Sequence, residues 1–236
     1  MEYNFTQYNK NIKKYLTKSG KWEIIDLFSL YIAEELIDQH IYNIEKGVNI
    51  LKIDRKRRLS RVIKNKKTYV VKEFTMPGPW WIFRPDAISW RNSHKLKALR
   101  IPVPEVYAWL QSKDKKGFII MEDLGNQVLK EVLRKFSPGS SEREKLLKKI
   151  GYLVGYVHDK NIVYGDLKLT NVMIRGSRLF LIDMDKIKLK KRLSIKDKIY
   201  NLKQILASFP ENIMDSEIDL FFETYFHTIF PKLLEN

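Results

Sequence analysis

Apolar residues along this chain change period several times, and each change marks an expected element. From Trp22 to Asp38 the positions Ile24, Ile25, Leu27, Phe28, Leu30, Tyr31, Ile32, Leu36 and Ile37 fall at roughly helical intervals. That spacing predicts an amphipathic helix packed on a core, and Asp26, Glu34 and Glu35 argue against a basic face lying on a membrane. Residues 1–20 are polar and lack a clear period, as an arm or a strand would. From Val48 the text becomes β-like, with strands expected at Asn49–Ile53, Leu59–Ile63 and Thr68–Phe74 and a turn at Asn65-Lys66. Pro85 followed by Asp86 predicts a helix over Ala87–Leu99 with Asp86 as its N-cap, stopped by Ile101-Pro102-Val103-Pro104. Strand-like Val106–Leu110 and Gly117–Met121 come next, then a short linker, Glu122-Asp123-Leu124-Gly125. Helical patterns follow at Val128–Phe136, Glu142–His158, Ile195–Phe209 and Met214–Phe230. The pattern predicts an α+β chain in two parts. Residues 1–123 hold an arm, a helix and an antiparallel sheet with one main helix, and residues 124–236 are short and mostly helical.

Composition narrows the class. With 236 residues, 44% of them apolar and 12% aromatic, the chain can bury a core of its own. Cysteine is absent, which excludes disulfides and thiolate metal sites and fits a reducing compartment. Met1–Gln7 lacks the apolar core of a signal peptide, and no stretch approaches the roughly 20 apolar residues of a membrane span. A cytoplasmic protein is expected. The formal charge of +16 points to an anionic partner or to a lysine-rich surface, and nucleic acid, anionic lipid and phosphorylated glycan all qualify. The basic residues cluster at Lys52, Arg55–Arg58, Arg61, Lys64, Lys66 and Lys67, and again at Lys186, Lys188, Lys190–Arg192, Lys196 and Lys198. Met76-Pro77-Gly78-Pro79-Trp80-Trp81 is a punctuated loop whose tryptophans suit either a lid or an anchor at a lipid headgroup layer.

The chemistry concentrates in Val163-Tyr164-Gly165-Asp166-Leu167-Lys168-Leu169-Thr170-Asn171-Val172-Met173-Ile174 and in the apolar run that ends at Asp183. Taken singly, Asp166 and Asn171 are ordinary turn formers and Asp183 an ordinary strand end. Together they supply a carboxylate to orient a hydroxyl, a cation for a phosphoryl group, and a carboxylate with a carboxamide for a hard metal ion. Upstream, Lys72 interrupts the apolar text of Tyr69-Val70-Val71, where an ammonium must reach solvent or an anion. His158, which closes a helix before the loop, reads as a hydrogen-bonding brace or a proton shuttle. These residues match the kinase catalytic-loop and metal-Asp signatures, with Tyr164-Gly165 where His-Arg is usual and Asp183-Met184-Asp185 where Asp-Phe-Gly is usual. There is no G-x-G-x-x-G between the first strands of the meander. The link Asp54-Arg55-Lys56-Arg57-Arg58 stands there, so cationic side chains are expected to cover the phosphates.

Beyond the loop, Arg84-Pro85-Asp86-Ala87-Ile88-Ser89-Trp90-Arg91-Asn92, the Ile101–Pro104 helix exit and Leu181-Ile182-Asp183-Met184-Asp185-Lys186 resemble the bacterial lipopolysaccharide kinase family, the Kdo and heptose kinases of the inner core. The resemblance covers roughly residues 60–205. It implies a bilobal protein-kinase-like fold, ATP and Mg2+ as cofactors, and a sugar hydroxyl as acceptor. It also implies an anionic lipid-linked core glycan as partner, with peripheral contact at the cytoplasmic face of the inner membrane. By the same resemblance Asp166 orients the acceptor hydroxyl and takes its proton, and Lys168 serves the γ-phosphate. Asn171 and Asp183 hold Mg2+, Lys72 serves the α- and β-phosphates, and the backbone of Glu122, Asp123 and Leu124 holds adenine. The chain departs from the pattern in its helix, where Ser89 precedes Trp90 and no Glu occurs from 74 to 104 to orient Lys72. The chain is also similar to small atypical protein kinases of the RIO type or the tRNA-modification-associated type, and under that alternative the partner is nucleic acid. A non-catalytic binding module on a kinase scaffold is the third reading.

Overall fold

The computed structural model describes residues 12–75 and 80–229. The expectations for Met1–Asn11, for the Met76–Pro79 loop and for Phe230 lie outside the described residues, as do the side chains of Trp80 and Trp81. The chain forms two compact units: residues up to 98 together with 104–123, and residues 99–103 together with 124 onward.

The first unit is built on a seven-stranded sheet in the order β1-β2-β6-β7-β5-β4-β3. Its strands are β1 (Ile12–Leu16), β2 (Gly20–Ile25), β3 (Ile50–Ile53), β4 (Arg57–Lys64), β5 (Lys67–Phe74), β6 (Val106–Ser112) and β7 (Gly117–Glu122), all antiparallel to their neighbours. The helix expected over 22–38 is corrected by this structure. Trp22 and Ile24 alternate inward from β2, as the two-residue period of a strand requires, and α1 runs later, over Leu30–Lys46. The window 22–32 is apolar enough to satisfy both periods. The true helical face is Ala33, Leu36, Ile37, His40 and Asn43, which is buried against Val62, Val71 and Phe118 or hydrogen-bonded to the sheet. Gly47 ends α1 in the left-handed conformation at φ 71°, its N–H donating to the Asn43 carbonyl.

After a short turn, α2 (Trp80–Phe83), comes α3 (Pro85–Ala98). Asp86 is not a cap. Its carboxylate is fully buried, accepts hydrogen bonds from the Arg84 guanidinium, and accepts one from Trp109 Nε1 at 2.8 Å. Gly117 makes that possible, because a Cβ there would stand 2.2 Å from an Asp86 oxygen. Trp90 of α3 packs with Phe74, Val106 and Ile119, and its Nε1 donates to Glu23 at 2.8 Å.

The second unit contains α4 (Leu129–Lys135), α5 (Ser141–Asp159), α6 (Ile195–Leu206) and α7 (Asp215–Ile229), close to where the helical periods placed them. Two small ribbons carry the chemistry: β8 (Ile162–Tyr164) with β11 (Ile187–Leu189), and β9 (Val172–Arg175) with β10 (Arg178–Leu181). The helix exit at 99–103 belongs to this unit, with Tyr156 Oη donating to the Leu99 carbonyl and the Leu181 N–H to that of Pro102. A buried ion pair, Arg143 to Glu217 at 2.9 Å, joins the starts of α5 and α7. Glu217 also accepts from the Gly139 and Met214 N–H groups, and Arg143 donates to Asn212 and to the Phe136 carbonyl.

Candidate active site

In the first unit Lys72 lies on a central strand, with Leu59 of β4 and Ile119 of β7 opposite it in register. Its side chain is 4% exposed and its Nζ stands 4.9 Å from the centre of the Phe74 ring, two residues along on the same face. Glu73, on the opposite face, cannot serve it. The Glu73 carboxylate meets His40 Nε2 at 3.4 Å, Lys116 at 3.5 Å and Arg58 at 3.9 Å, while His40 Nδ1 bonds Ser60 Oγ at 2.7 Å. Burial pushes the Glu73 carboxyl up, but His40, Lys116 and Arg58 outweigh it and hold it below the usual range. At the end of β7, Glu122 exchanges backbone and side-chain hydrogen bonds with Glu105, and Asp123 accepts a bidentate pair from Arg61 at 2.6 and 3.2 Å. Leu124, buried, is the first residue of the second unit after this boundary.

The Asp54–Arg58 link is a locked turn. Asp54 Oδ1 accepts from the N–H groups of Lys56 and Arg57, both at 2.8 Å. Much of the first basic cluster is internally paired. Lys52, Arg58, Arg61 and Lys64 meet Asp54, Glu73, Asp123 and Glu35 at 3.0, 3.9, 2.6 and 2.8 Å, and Lys67 stands over the Tyr69 and Tyr107 rings.

In the second unit the loop from β8 to β9 gathers Asp166, Lys168, Asn171 and the end of the Asp183 strand. Asn171 Nδ2 donates to the Asp166 carbonyl at 2.9 Å, and the Ile182 N–H donates to the Asn171 carbonyl at 3.0 Å. The Asn171 nitrogen is thereby committed, so its Oδ1 is the atom that can serve a metal. Asp183 sits in left-handed backbone, φ 72° and ψ 57°, which Asp tolerates better than most residues. Tyr164, fully buried, fixes that kink by donating its hydroxyl to the carbonyls of Ile182 and Asp183. The Tyr at this sequence departure thus has a definite task. So does Gly165, because its N–H donates to the Lys186 carbonyl at 2.9 Å and a Cβ there would stand 2.9 Å from the same oxygen.

Asp166 is flanked by two ammonium groups. Lys186 Nζ lies 2.8 Å and Lys168 Nζ 3.2 Å from the same oxygen, Oδ2. Burial pushes this carboxyl up, but the hydrogen bonds and charges of Lys186 and Lys168 outweigh it and hold it below the usual carboxylate range. Lys186 was legible only as one of a surface cluster.

Sequence reasoning also missed how the loop is held from below. Asn201 of α6 accepts from the Tyr164 N–H at 3.0 Å and donates to the Tyr164 carbonyl at 2.5 Å. Gln204 accepts from the Leu167 N–H at 3.2 Å and donates to the Gly165 carbonyl at 3.1 Å. Ser208 accepts from the Leu169 N–H at 2.9 Å. Asn201 and Gln204 share one face of α6 and Ser208 follows in the turn after it, so the signal was present as a polar stripe at helical spacing. His158 is a brace: its ring bonds Tyr225 Oη at 2.8 Å and Asn201 Oδ1 at 3.3 Å, and burial pushes its pKa down to about 4, so it is neutral near pH 7.

The arrangement can orient a hydroxyl at Asp166, place a cation beside it, and offer a carboxylate and a carboxamide oxygen at Asp183 and Asn171. Both are hard oxygen donors, and Mg2+ is typically bound by one or two such groups with the rest supplied by phosphate and water, so the residues fit that ion.

Comparisons with known proteins bear on the family and the fold. The model of the lipopolysaccharide kinase (Kdo/WaaP) family matches residues 44–225. The KEOPS complex subunit Bud32 of Pyrococcus abyssi is 32% identical over 93 residues, 39% of this chain and 40% of that protein. The EKC/KEOPS complex subunit bud32 of Dictyostelium discoideum is 26% identical over 130 residues, 54% of this chain and 50% of that protein. The matches span half or less of these relatives' own length. The solved structure of WaaP in complex with acyl carrier protein superposes with a TM-score of 0.61 at 15% identity, covering 87% of this chain and 92% of that one. The expected α+β fold of the protein-kinase-like type is the fold found. On the extent of the family match, the chain belongs to the lipopolysaccharide kinase (Kdo/WaaP) family.

Proposed function

We propose that this chain is an ATP-dependent kinase that transfers the γ-phosphate to a sugar hydroxyl, of Kdo or heptose, in the lipopolysaccharide inner core. The observation that carries this reading is the family match over residues 44–225, which includes both Lys72 and the whole Asp166–Asp183 constellation. Asp166 orients the acceptor hydroxyl and takes its proton, and Lys168 steadies the γ-phosphate. Lys72 serves the α- and β-phosphates, and the backbone of Glu122, Asp123 and Leu124 receives adenine. Asn171 and Asp183 are the residues that would hold Mg2+, which supplies charge neutralisation on the phosphates when bound. Tyr164, Asn201 and Gln204 keep the loop in place, so that little reorganisation is required when the acceptor arrives.

The proposed acceptor is anionic and lipid-linked, and a protein of formal charge +16 is drawn to such a surface. The reading we propose has the chain act in the cytoplasm, peripherally at the inner membrane, and the net charge supports it. Among the described residues no helix is long and apolar enough to cross a membrane. A second reading, a kinase or ATPase of the tRNA-modification-associated type, is favoured by the 32% identity to the archaeal Bud32 protein. Radiolabel transfer from γ-labelled ATP separates the two. Incorporation into purified core lipopolysaccharide supports the glycan kinase. Autophosphorylation, or ATP hydrolysis stimulated by tRNA with no glycan labelling, supports the second reading.

A further inference from the structure

The pairing of Lys186 with Asp166 exceeds what holding the carboxylate requires. Asp166 already has Lys168 on its own loop, and its main chain is fixed by Asn171. Lys186 comes from a different segment, and its backbone is pinned: its carbonyl accepts from Gly165 N–H, and the next residue, Ile187, pairs with Tyr164 across β8 and β11. The stem is therefore anchored while the head is accessible, with the Lys186 side chain 44% exposed and that of Asp166 22% exposed. An ion pair this exposed contributes roughly 0–1 kcal/mol, so an incoming anion can exchange for Asp166 at little cost. An ammonium in hydrogen-bond contact with the general base also fixes the distance at which it can read a substrate. An anion taken by Lys186 lies about 5 Å from a hydroxyl held on Asp166, a span of a few covalent bonds.

We propose that Lys186 is a specificity-determining residue that selects an acceptor carrying a carboxylate or phosphate within a few bonds of the hydroxyl to be phosphorylated. This rests on the kinase reading above and narrows its substrate class. In the step itself the hydroxyl O–H bond breaks and its proton goes to Asp166. The oxygen forms a bond to the γ-phosphorus, the bond from that phosphorus to the bridging oxygen breaks, and ADP leaves with the electron pair. Lys186 takes no part in the bond changes. It holds the neighbouring anion and so fixes which hydroxyl presents itself.

The test compares the full chain with Lys186→Gln and Lys186→Arg on two acceptors: a Kdo-bearing core glycolipid, and the same glycolipid with its carboxyl groups reduced to alcohols. Losing one charge-assisted hydrogen bond raises the KM of K186Q for the carboxylate acceptor about 10- to 100-fold, with the KM for ATP within about threefold of the parent chain and any change in kcat the same on both acceptors, since Lys186 also contacts Asp166. K186R recovers most of the loss, and the parent and K186Q have equal KM for the reduced acceptor. Equal increases on both acceptors, a fall in kcat at unchanged KM, or a raised KM for ATP would overturn the assignment. If the parent chain phosphorylates neither acceptor, the glycan-kinase reading fails, and Lys186 is then judged by calorimetry with free Kdo. Binding that K186Q loses and K186R keeps upholds the anion site, and equal binding by all three, or none, removes it.

Discussion

Asn201→Ala should loosen the Tyr164–Asn171 loop from behind without touching any of the proposed site residues. Asn201 is fully buried, and its carboxamide satisfies both the N–H and the carbonyl of Tyr164, which is itself fully buried. It also accepts from His158 Nε2 at 3.3 Å. Because the N–H and carbonyl belong to one residue, the orientation of the amide is set by the backbone it serves. Alanine leaves two buried backbone groups unsatisfied at about 1–3 kcal/mol each, so the second unit should lose about 2–6 kcal/mol. With a urea dependence near 2 kcal/mol per molar, the midpoint falls by about 1–3 M. Helical circular dichroism is the suitable probe, since all five tryptophans (Trp22, Trp80, Trp81, Trp90 and Trp109) lie in the first unit. Tyr164 leads directly into Asp166, so kcat should fall about 10- to 100-fold through misplacement, with the KM for ATP little changed. A midpoint shift below about 0.3 M, with unaltered kcat, would show that α6 does not hold the loop.

Other consequences can be checked alongside. Glu217→Ala leaves Arg143 buried and unpaired and should cost about 3–5 kcal/mol by denaturant titration, whereas a loss below about 1 kcal/mol would make the pair incidental. His94 and His158 both have pKa values that burial pushes down to about 4, below the ordinary 6.5. The unfolded chain therefore binds protons first. The stability these groups contribute is complete above about pH 6.5 and lost as pH falls toward 4, and His158→Gln should flatten that part of the profile by up to about 3 kcal/mol. Neutralising Arg57 and Arg58 together should raise the KM for ATP or for the acceptor if the Asp54–Arg58 turn covers the phosphates, and unchanged values of both would remove that role.

The candidate site was legible because its residues are distinctive in type and stand at short, fixed spacings in one stretch of chain. Asp166, Lys168, Asn171 and Asp183 stand out against apolar text, and Lys72 stands out inside a strand. What the sequence hid is tertiary. Asp86 has the local text of a cap, and only the absent side chain of Gly117 makes room for it as a buried partner of Arg84 and Trp109. Asn201, Gln204 and Ser208 look like the solvated face of an amphipathic helix until the loop is laid across them. Lys186 looked like one more surface cation because its partner, Asp166, lies on another segment. The apolar window near Trp22 fits both helical and strand periods, and pairing with β6 decided it.

In the reading proposed above, Asp166 orients a sugar hydroxyl for phosphorylation from ATP. The most direct test of that role is transfer of labelled γ-phosphate to dephosphorylated inner-core glycolipid by the parent chain and by Asp166→Asn, with Mg2+ present. The predicted result is stoichiometric labelling of one sugar by the parent chain and a loss of about 10²- to 10⁴-fold in kcat for D166N, with binding of ATP retained. Labelling by D166N within a few fold of the parent chain, or none by either protein, would contradict it.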